Sequence, residues 1–270
     1  MNGISLTPHS GTADADERRE ESIPSLHGSI RHTRFRGYDE NRLRMGITMA
    51  FIPTLTTLPP PQLTLWPELI ATPTIFTLYG GTALALRLGH RASVDFDFFA
   101  NAAFDPDHLA NKLPYLRNAE RVQVAPNTLT CRIQRDGPVL ISFFGGLGLG
   151  QAAAHDEAPG LGLRVASLLD LAGTKAAVVQ KRAEAKDYVD LDALLRHGLD
   201  LATVLAAGTV VYGRSFNPLI TLKALTYFDD VPTLPVAVQA RLRAMVAAVD
   251  VTNLPALIPY APRPDQRSAS

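Results

Sequence analysis

The chain has 270 residues, of which 46% are hydrophobic and 19% are charged, a composition typical of a globular protein with a sizeable core. Lysine plus arginine and aspartate plus glutamate number 26 each, which excludes a broadly basic coat for nucleic acid. The single cysteine excludes an intramolecular disulfide and a cysteine-rich zinc site. Because the sequence shows neither a membrane-length apolar run nor a signal-peptide core, we expect a cytoplasmic protein with no membrane association.

The first part of the chain differs from the rest. We expect residues 1–48 to be disordered, because they are polar, rich in charge and without a sustained apolar period. The alternative is that the physiological start is Met45 or Met49 and that this leader is a mis-annotated start. Beyond it we predict an α/β core over residues 49–150 and a helical C-terminal domain over residues 151–270.

A strand, a helix and a second strand are predicted in close succession. They cover Ile75–Tyr79, Thr82–Leu88 and Ser93–Ala100. Gly80 and Gly81 stand between the first strand and the helix, where glycine permits a tight turn. A β-turn-α-β unit is therefore expected at the start of the core.

A β-hairpin is predicted over residues 129–134 and 138–144, because the Asp136-Gly137 pair between them is a hairpin signal. The following stretch, GGLGLGQAAA, is rich in glycine and is predicted to be a loop. No Lys-Ser or Lys-Thr pair follows these glycines, so they do not form the nucleotide-binding P-loop motif.

Helices dominate the remaining sequence. Ser167 and Asp170 resemble a capping box at the start of a helix that runs to about Gln180. A second helix is predicted from near Asp187 to His197, and three later segments favour helix. The fold class is therefore α+β, with a mixed β-sheet core followed by a helical half.

Two carboxylates interrupt the apolar second strand of the core. Side chains alternate along a strand, so Asp95 and Asp97 share one face. Two like charges that close stay ionised together only if a cation bridges them, and Mg²⁺ prefers such oxygen ligands. The alternative is an edge strand whose surface carboxylates pair with Arg87 and Arg91.

The glycine turn before these carboxylates predicts an anion site. A helix that opens at Thr82 presents free N–H groups and a positive dipole end. Glycine at positions 80 and 81 would allow a ligand to approach the backbone closely. Phosphates would then lie between backbone amides and a metal ion, which predicts a nucleotide as the ligand.

Two segments, GGTALALRLGHRASVDFDFF and TKAAVVQKRAEAKDYVDLDALL, resemble the nucleotidyltransferase fold and, more closely, the AbiEii/AbiGii toxin family. The resemblance covers about residues 58–257. It implies that Asp95 and Asp97 hold Mg²⁺, that Lys175 contacts phosphate oxygens, and that Asp187 acts near the base or the attacking hydroxyl. The residues expected to bind the nucleoside triphosphate (NTP) are Gly80, Gly81, Thr82, Arg91 and Lys186.

The resemblance implies a Mg²⁺-dependent nucleotidyltransferase that acts as the toxin of a bacterial toxin–antitoxin or phage-defence system. It would transfer a nucleotide from an NTP to an acceptor such as tRNA or a protein, and a cognate antitoxin would bind it. One alternative is a nucleotide-binding regulator without catalysis. Another is an adenylyltransferase that modifies a small molecule such as an antibiotic.

Two features leave room for those alternatives. Many nucleotidyltransferases carry a third carboxylate on a later strand, where this chain has Ser142. Either two carboxylates suffice, or Asp187 supplies the third, or turnover is slow, or nucleotide binds without transfer. In the helical half, Lys175 could be a solvated surface residue, and the helix dipole alone favours Asp187 and Asp190 in a first turn.

Overall fold

The computed structural model describes residues 51–264 and 266, so the predictions for residues 1–48 lie outside the described residues. The described residues contain one seven-stranded sheet with the strand order β3-β4-β5-β2-β1-β7-β6. Its strands are β1 (Thr77–Tyr79), β2 (Asp95–Phe99), β3 (Glu120–Ala125), β4 (Thr128–Gln134), β5 (Pro138–Phe144), β6 (Asp156–Ala158) and β7 (Leu163–Val165).

The sheet is mixed. β2 pairs antiparallel with β1 and parallel with β5, and β1 pairs parallel with β7. The pairs β3–β4, β4–β5 and β6–β7 are antiparallel. Since β2 lies between β1 and β5, the alternative that placed Asp95 and Asp97 on an edge strand is wrong.

Helices cover the sheet and form the later part of the chain. The α-helices are α1 (Pro60–Leu65), α2 (Gly80–Leu88), α3 (Pro106–Lys112), α4 (Leu168–Val178), α5 (Ala185–Arg196), α6 (Leu201–Tyr212), α7 (Pro218–Ala224) and α8 (Val236–Ala248). Short 3-10 helices lie at Leu55–Thr57, Trp66–Ala71, Pro114–Leu116, Gly213–Ser215 and Val251–Asn253. The α+β fold class is thereby confirmed.

The structure contains the helix cap and the hairpin turn that the sequence predicted, and it moves the start of α2. Ser167 caps α4 by accepting a hydrogen bond from the backbone N–H of Asp170 at 3.0 Å. The β4–β5 hairpin turns at Asp136 and Gly137, which have φ angles of 55° and 139°. The helix α2 begins at Gly80, two residues before the predicted start, so both glycines belong to its first turn rather than to a separate turn.

Strand alternation gives the central strands one fully buried apolar face and one mixed face that carries both carboxylates and aromatic side chains. Phe96, Phe98 and Phe143 are fully buried in the main core, and the ring of Trp66 stacks against Phe96 with centroids 6.4 Å apart. Burying each such aromatic side chain stabilises the fold by about 1.5–3 kcal/mol. The opposite face carries the half-buried carboxylates of β2, which leaves them available for a ligand.

Two of the helices that follow the sheet pack unusually closely. A Cβ atom at Gly173 of α4 would lie 2.8 Å from the backbone of Ala207 in α6. Ala166, in the short connection between β7 and α4, donates its N–H to the carbonyl of Leu78 in β1 at 2.9 Å. These contacts fix α4 against the sheet.

The strands β3, β6 and β7 were not predicted from the sequence. β6 and β7 lie beyond residue 150 and yet belong to the same sheet as β1. The division into two domains at that residue stays a prediction. Among the described helices none alone is long and apolar enough to cross a membrane; α5 and the segment Leu201–Ser215 pass that test only together, with a bend of 118° between them.

Candidate active site

Asp95 and Asp97 lie on one face of the central strand, and both are half-buried. Neither carboxylate forms an ion pair or accepts a side-chain hydrogen bond within the described part of the chain. Arg87 instead donates to the carbonyl oxygens of Ala166 at 2.7 Å and Val165 at 3.1 Å. The proposed pairing of the two aspartates with Arg87 and Arg91 is therefore wrong.

The electrostatics of Asp97 reflect this lack of a partner. Burial raises the pKa of Asp97, and the neighbouring charge of Asp95 raises it further, against the opposing charges of Lys175, Arg182 and Lys186. A bound cation would remove the repulsion between the two carboxylates. The donor set therefore suits a divalent ion that uses one or two carboxylates and completes its coordination with water or substrate oxygens.

No third acidic or imidazole ligand completes this pair. Within residues 51–264 and 266, no group of three or more His, Cys, Asp and Glu side chains is placed to hold a metal. The residue beside Asp97 in β5 is Ser142, as the sequence analysis expected, and Ser142 accepts a hydrogen bond from Thr130 at 3.2 Å. Any metal ion here would depend on Asp95, Asp97 and the substrate.

The glycines at the start of α2 make room for two charged side chains. A Cβ atom at Gly80, whose φ is 73°, would lie 2.5 Å from Oδ2 of Asp97. A Cβ atom at Gly81 would lie 2.5 Å from Nη2 of Arg91. The first turn of α2 has no side-chain cap, so no N-cap side chain satisfies its backbone N–H groups.

The side chain of Thr82 forms hydrogen bonds within the protein rather than facing a ligand. Its hydroxyl is almost fully buried, donates to the carbonyl oxygen of Asp95 and shares a second hydrogen bond with Ser93 Oγ at 2.8 Å, in which Ser93 can donate. These bonds connect α2 to the start of β2. We therefore expect only the backbone N–H of Thr82 to face a ligand.

A buried carboxylate, Asp190, gathers three basic side chains. It accepts hydrogen bonds from Arg91 Nε at 2.6 Å and Nη2 at 2.8 Å, contacts His90 Nε2 at 2.7 Å, and pairs with Lys175 Nζ at 2.6 Å. Burial acts to raise the pKa of Asp190, but the hydrogen bonds from His90 and Arg91 and the charge of Lys175 outweigh it and hold the pKa well below its usual range.

Asp187 forms the second half of this network. It is fully buried, pairs with Lys175 Nζ at 2.7 Å and accepts from Arg182 Nε at 2.8 Å and Nη2 at 3.2 Å. Burial acts to raise the pKa of Asp187, but Arg182 and Lys175 together lower it. The carboxylate is thus ionised at neutral pH and fully occupied with cations.

The alternative that Lys175 is a solvated surface residue is therefore wrong. It is 5% exposed and lies between two aspartates of α5. Lys186 is half-exposed and pairs with Glu184 at 2.8 Å. The charges of both cations act to lower the pKa of Asp97, although each is itself paired with a carboxylate of the helical half.

Sequence reasoning missed Arg182. Its side chain is 46% exposed, it is bound to Asp187, and it lowers the pKa of Asp97. The basic run QKRAEAK before α5 was a signal that could have identified it. Only Lys186 in that run was predicted to bind the nucleotide, because nothing in the local sequence distinguishes an arginine exposed to solvent from one that binds a carboxylate.

The glycines at the start of α2 and the paired carboxylates of β2 are the features by which the sequence resembles the class of nucleotidyltransferases. The sequence comparison agrees with this class. Residues 68–263 match the family described as nucleotidyl transferase AbiEii toxin, of the type IV toxin–antitoxin systems. The chain belongs to this family, which confirms the resemblance noted in its sequence.

Individual relatives are more distant. An uncharacterized protein of Aquifex aeolicus is 34% identical over 158 residues, which are 57% of this chain and 74% of that protein. The structure of MenT4, a nucleotidyltransferase toxin of Mycobacterium tuberculosis, has a TM-score of 0.48 at 20% identity and covers 70% of this chain and 82% of its own. The structure of a proposed nucleotidyltransferase from H. pylori has a TM-score of 0.45 at 16% identity. The match covers 69% of this chain and 90% of the H. pylori chain. Both TM-scores lie below 0.5, so the family match alone supports the assignment.

Proposed function

We propose that the protein is a Mg²⁺-dependent nucleotidyltransferase that moves a nucleotide from an NTP to an RNA acceptor such as tRNA. One observation carries this proposal. The carboxylates of Asp95 and Asp97 share a face of the central strand without a protein partner, and the charges of Lys175, Arg182 and Lys186 act to lower the pKa of Asp97. A carboxylate pair without a counterion, within range of these basic side chains, is suited to a metal-bound triphosphate.

Asp95 and Asp97 are the proposed metal ligands. When bound, Mg²⁺ would neutralise charge on the phosphates and favour ionisation of the attacking hydroxyl. Gly80, Gly81 and Thr82 would donate backbone N–H groups to phosphate oxygens, with the dipole of α2 favouring the anion. Gly80 has the further task of leaving space for the Asp97 side chain.

The cations of the helical half would hold the triphosphate from the other side. We assign this task to Lys175, Arg182 and Lys186. Because Arg182 and Lys186 are half-exposed, they can move to a ligand, whereas Lys175 is confined between its two aspartates. Electrostatic positioning of this kind is the main contribution of proteins to phosphoryl transfer.

Asp187, Asp190 and Arg91 are proposed as positioning residues. Asp187 binds two cations and has a lowered pKa, so it is a poor proton acceptor and a poor third metal ligand. Arg91 has Nε and Nη2 on Asp190 and Nη1 on the carbonyl of Ala92 at 2.9 Å. We infer that it supports the turn at Gly81 rather than contacting the nucleotide.

Of the four explanations for Ser142, we favour the first, in which two carboxylates suffice. Asp187 is engaged elsewhere, and Mg²⁺ sites commonly use one or two carboxylates together with substrate phosphates. We further propose that the activity serves as the toxin of a pair and that a cognate antitoxin binds this chain, which its family membership supports.

A transfer assay tests the proposal. Each labelled NTP is incubated with total tRNA or total protein, with Mg²⁺ or with a chelator, and label in the acceptor is measured. Wild type should label an RNA only with Mg²⁺, and Asp97→Ala should abolish labelling. The fold should survive, since removing Asp97 also removes its repulsion with Asp95.

The matched control is Asp107→Ala, which removes an exposed carboxylate from α3. It should transfer as wild type does. Equal labelling by wild type and Asp97→Ala would overturn the assigned site, and labelling of protein alone would overturn the RNA acceptor.

Ser142 favours a second candidate, a nucleotide-binding regulator without catalysis. A hydroxyl is a weak metal ligand, so the site could bind a Mg²⁺–NTP complex and lack the third carboxylate for transfer. Calorimetric binding of an NTP that depends on Asp97, combined with no covalent product in the RNA and protein screens, would support this candidate.

A further inference from the structure

Two phenylalanine rings lie on the same face of the sheet as the carboxylates of Asp95 and Asp97. Alternation along β2 places Phe99 on that face, and the register of β5 places Phe144 directly beside Phe99. Both side chains are partly exposed, whereas the phenylalanine immediately before each of them is fully buried in the core. The carboxylate face therefore presents part of two aromatic rings to a ligand.

The contacts of these rings show which of them can accept another ring. Phe99 and Phe144 meet edge to face, with centroids 5.7 Å apart and ring planes at 87°. Tyr79 of β1 is almost fully buried and stacks on Phe99 in a nearly parallel arrangement, with centroids 4.8 Å apart. The stack covers one face of Phe99 and holds its ring in place, whereas the edge-to-face contact leaves at least one face of Phe144 uncovered by Phe99. We therefore infer that Phe144 is the ring available for stacking.

The ring pair lies on the far side of Asp97 from the first turn of α2. β1 and β2 are antiparallel, with Tyr79 opposite Asp97, and α2 begins at the next residue of β1, Gly80. Phe99 is two residues further along β2, which runs the other way, so it lies about 7 Å beyond Asp97 at the usual rise of a strand. The order along the sheet is therefore the α2 turn, the carboxylates and the rings.

The chemistry of nucleotidyl transfer assigns a role to each side of the carboxylates. The acceptor hydroxyl oxygen forms a bond to the α-phosphorus, the bond from this phosphorus to the bridging oxygen breaks, and pyrophosphate leaves with the electron pair while the hydroxyl proton passes to solvent. The attacking and leaving oxygens lie roughly in line. Since the proposed function has the pyrophosphate beside the first turn of α2, the acceptor hydroxyl approaches from the opposite side, where Phe99 and Phe144 lie.

We propose that the ring of Phe144, supported by Phe99, stacks on the terminal nucleobase of the RNA acceptor and thereby positions the terminal ribose hydroxyl beside Asp97. This inference rests on the proposed function. Aromatic side chains commonly bind the bases of single-stranded nucleic acid in this way, with little dependence on base identity. The nucleobase of the NTP is the alternative source of the same ligand chemistry, and the test distinguishes the two.

Removing the ring from the protein and the base from the RNA tests the contact. The probe is a 5′-labelled single-stranded RNA of about 12 nucleotides, within the range that such sites cover, with either adenine or no base on its 3′-terminal ribose. Affinity is measured by fluorescence anisotropy with Mg²⁺ present. Loss of the base should weaken binding to wild type about fivefold, at the lower end of what one stacked base contributes. It should leave binding to Phe144→Leu unchanged, and Phe144→Trp, which keeps a ring, should retain the dependence on the base.

Phe104→Leu is the matched control. Phe104 is also partly exposed and also forms an edge-to-face pair, with Phe76 at 5.2 Å, but Phe76 in turn packs on Phe143 of the buried apolar face. This variant should keep the fivefold dependence on the terminal base. A purely structural role of Phe144 would weaken binding of both RNAs equally, and only a contact between ring and base makes the two losses non-additive.

Several outcomes would overturn the proposal. They are equal binding of the two RNAs by wild type, a base dependence that survives in Phe144→Leu, and its loss in Phe104→Leu as well. Weaker calorimetric binding of Mg²⁺–ATP by Phe144→Leu, with the base dependence of RNA binding unchanged, would assign the ring to the base of the NTP and overturn the proposal too.

The binding measurements separate this proposal from the proposed function. Asp97→Ala should abolish transfer and retain the dependence of RNA affinity on the terminal base. Absence of transfer in wild type, with a base dependence that Phe144→Leu removes, would overturn the transferase and leave the stacking site assigned. Transfer that depends on Asp97, with the same KM for RNA and the same base dependence in Phe144→Leu as in wild type, would overturn the stacking contact alone.

Discussion

At the scale of single residues, Asp97 and Asp190 are carboxylates of the site in contrasting environments. It is half-buried, lies beside a second carboxylate and has no partner among the described residues, so its pKa is raised. Asp190, by contrast, is fully buried but satisfied by three basic side chains. A buried acid without a counterion is costly unless a ligand compensates, and this contrast marks Asp97 as a binding group.

The raised pKa of Asp97 predicts that Mg²⁺ affinity depends on pH. Protons compete with the ion for the carboxylate, and a raised pKa means that this competition begins at a higher pH than for an ordinary aspartate. Calorimetric affinity should therefore begin to fall at a pH above the range in which an ordinary aspartate, with a pKa of about 3.9, becomes protonated. Affinity that is constant down to pH 4 would contradict the shift.

Gly80→Ala tests the contact between the α2 turn and Asp97. The new Cβ would lie 2.5 Å from the Asp97 carboxylate and would sit at a positive φ, so both Mg²⁺ affinity and transfer should fall. Gly160→Ala is the matched control, since it has a φ of 77° and nothing within 4 Å of the new Cβ. Each variant should lose about 1 kcal/mol of unfolding free energy from backbone strain.

Of the variants Gly80→Ala and Gly160→Ala, only Gly80→Ala should lose Mg²⁺ affinity. Equal metal affinity of the two variants would show that Gly80 serves the backbone turn alone.

At the scale of elements, the sequence was informative where structure is local. The β1–α2–β2 unit, the β4–β5 hairpin and the cap of α4 each depend on residues a few positions apart, and each was predicted. The exposed strand β3 pairs with only one neighbour and contains an irregularity between Arg121 and Gln123, which interrupts the alternation that reveals a strand.

The ion network could not be read from the sequence in the same way. Arg91 and Asp190 are 99 residues apart, and their contact depends on how α5 packs beside the end of α2. The first-turn position of Asp187 had a sufficient local explanation in the helix dipole. Its true partners, Lys175 and Arg182, became identifiable only when α4 and α5 were placed together.

Asp190→Asn tests how much the Asp190 network contributes to the free energy of unfolding. Loss of the buried charge leaves Arg91 and Lys175 without their shared counterion, so we expect unfolding free energy to fall by about 3–5 kcal/mol. Asp107→Asn removes an exposed partner of Arg121 and should cost about 0–1 kcal/mol. Denaturant unfolding measures both, and similar losses would mean that the Asp190 network contributes no more than a surface pair.

At the scale of the whole molecule, the neutral net charge conceals a separation of charge. The carboxylates of Asp95 and Asp97 lie in the sheet, and the charges of Lys175, Arg182 and Lys186 in the helical half act on Asp97. Local fields of this kind can bind polyanions even when the total charge is zero. Family membership supports nucleotidyl transfer.

The most direct measurement is a crystal structure of the chain with Mn²⁺ in place of Mg²⁺ and a non-hydrolysable NTP, with anomalous scattering used to locate the ion. We predict an anomalous peak bound to the carboxylates of both Asp95 and Asp97, with the triphosphate beside the first turn of α2. A nucleotide bound there without an ion on these two residues, or an ion located elsewhere, would contradict the account.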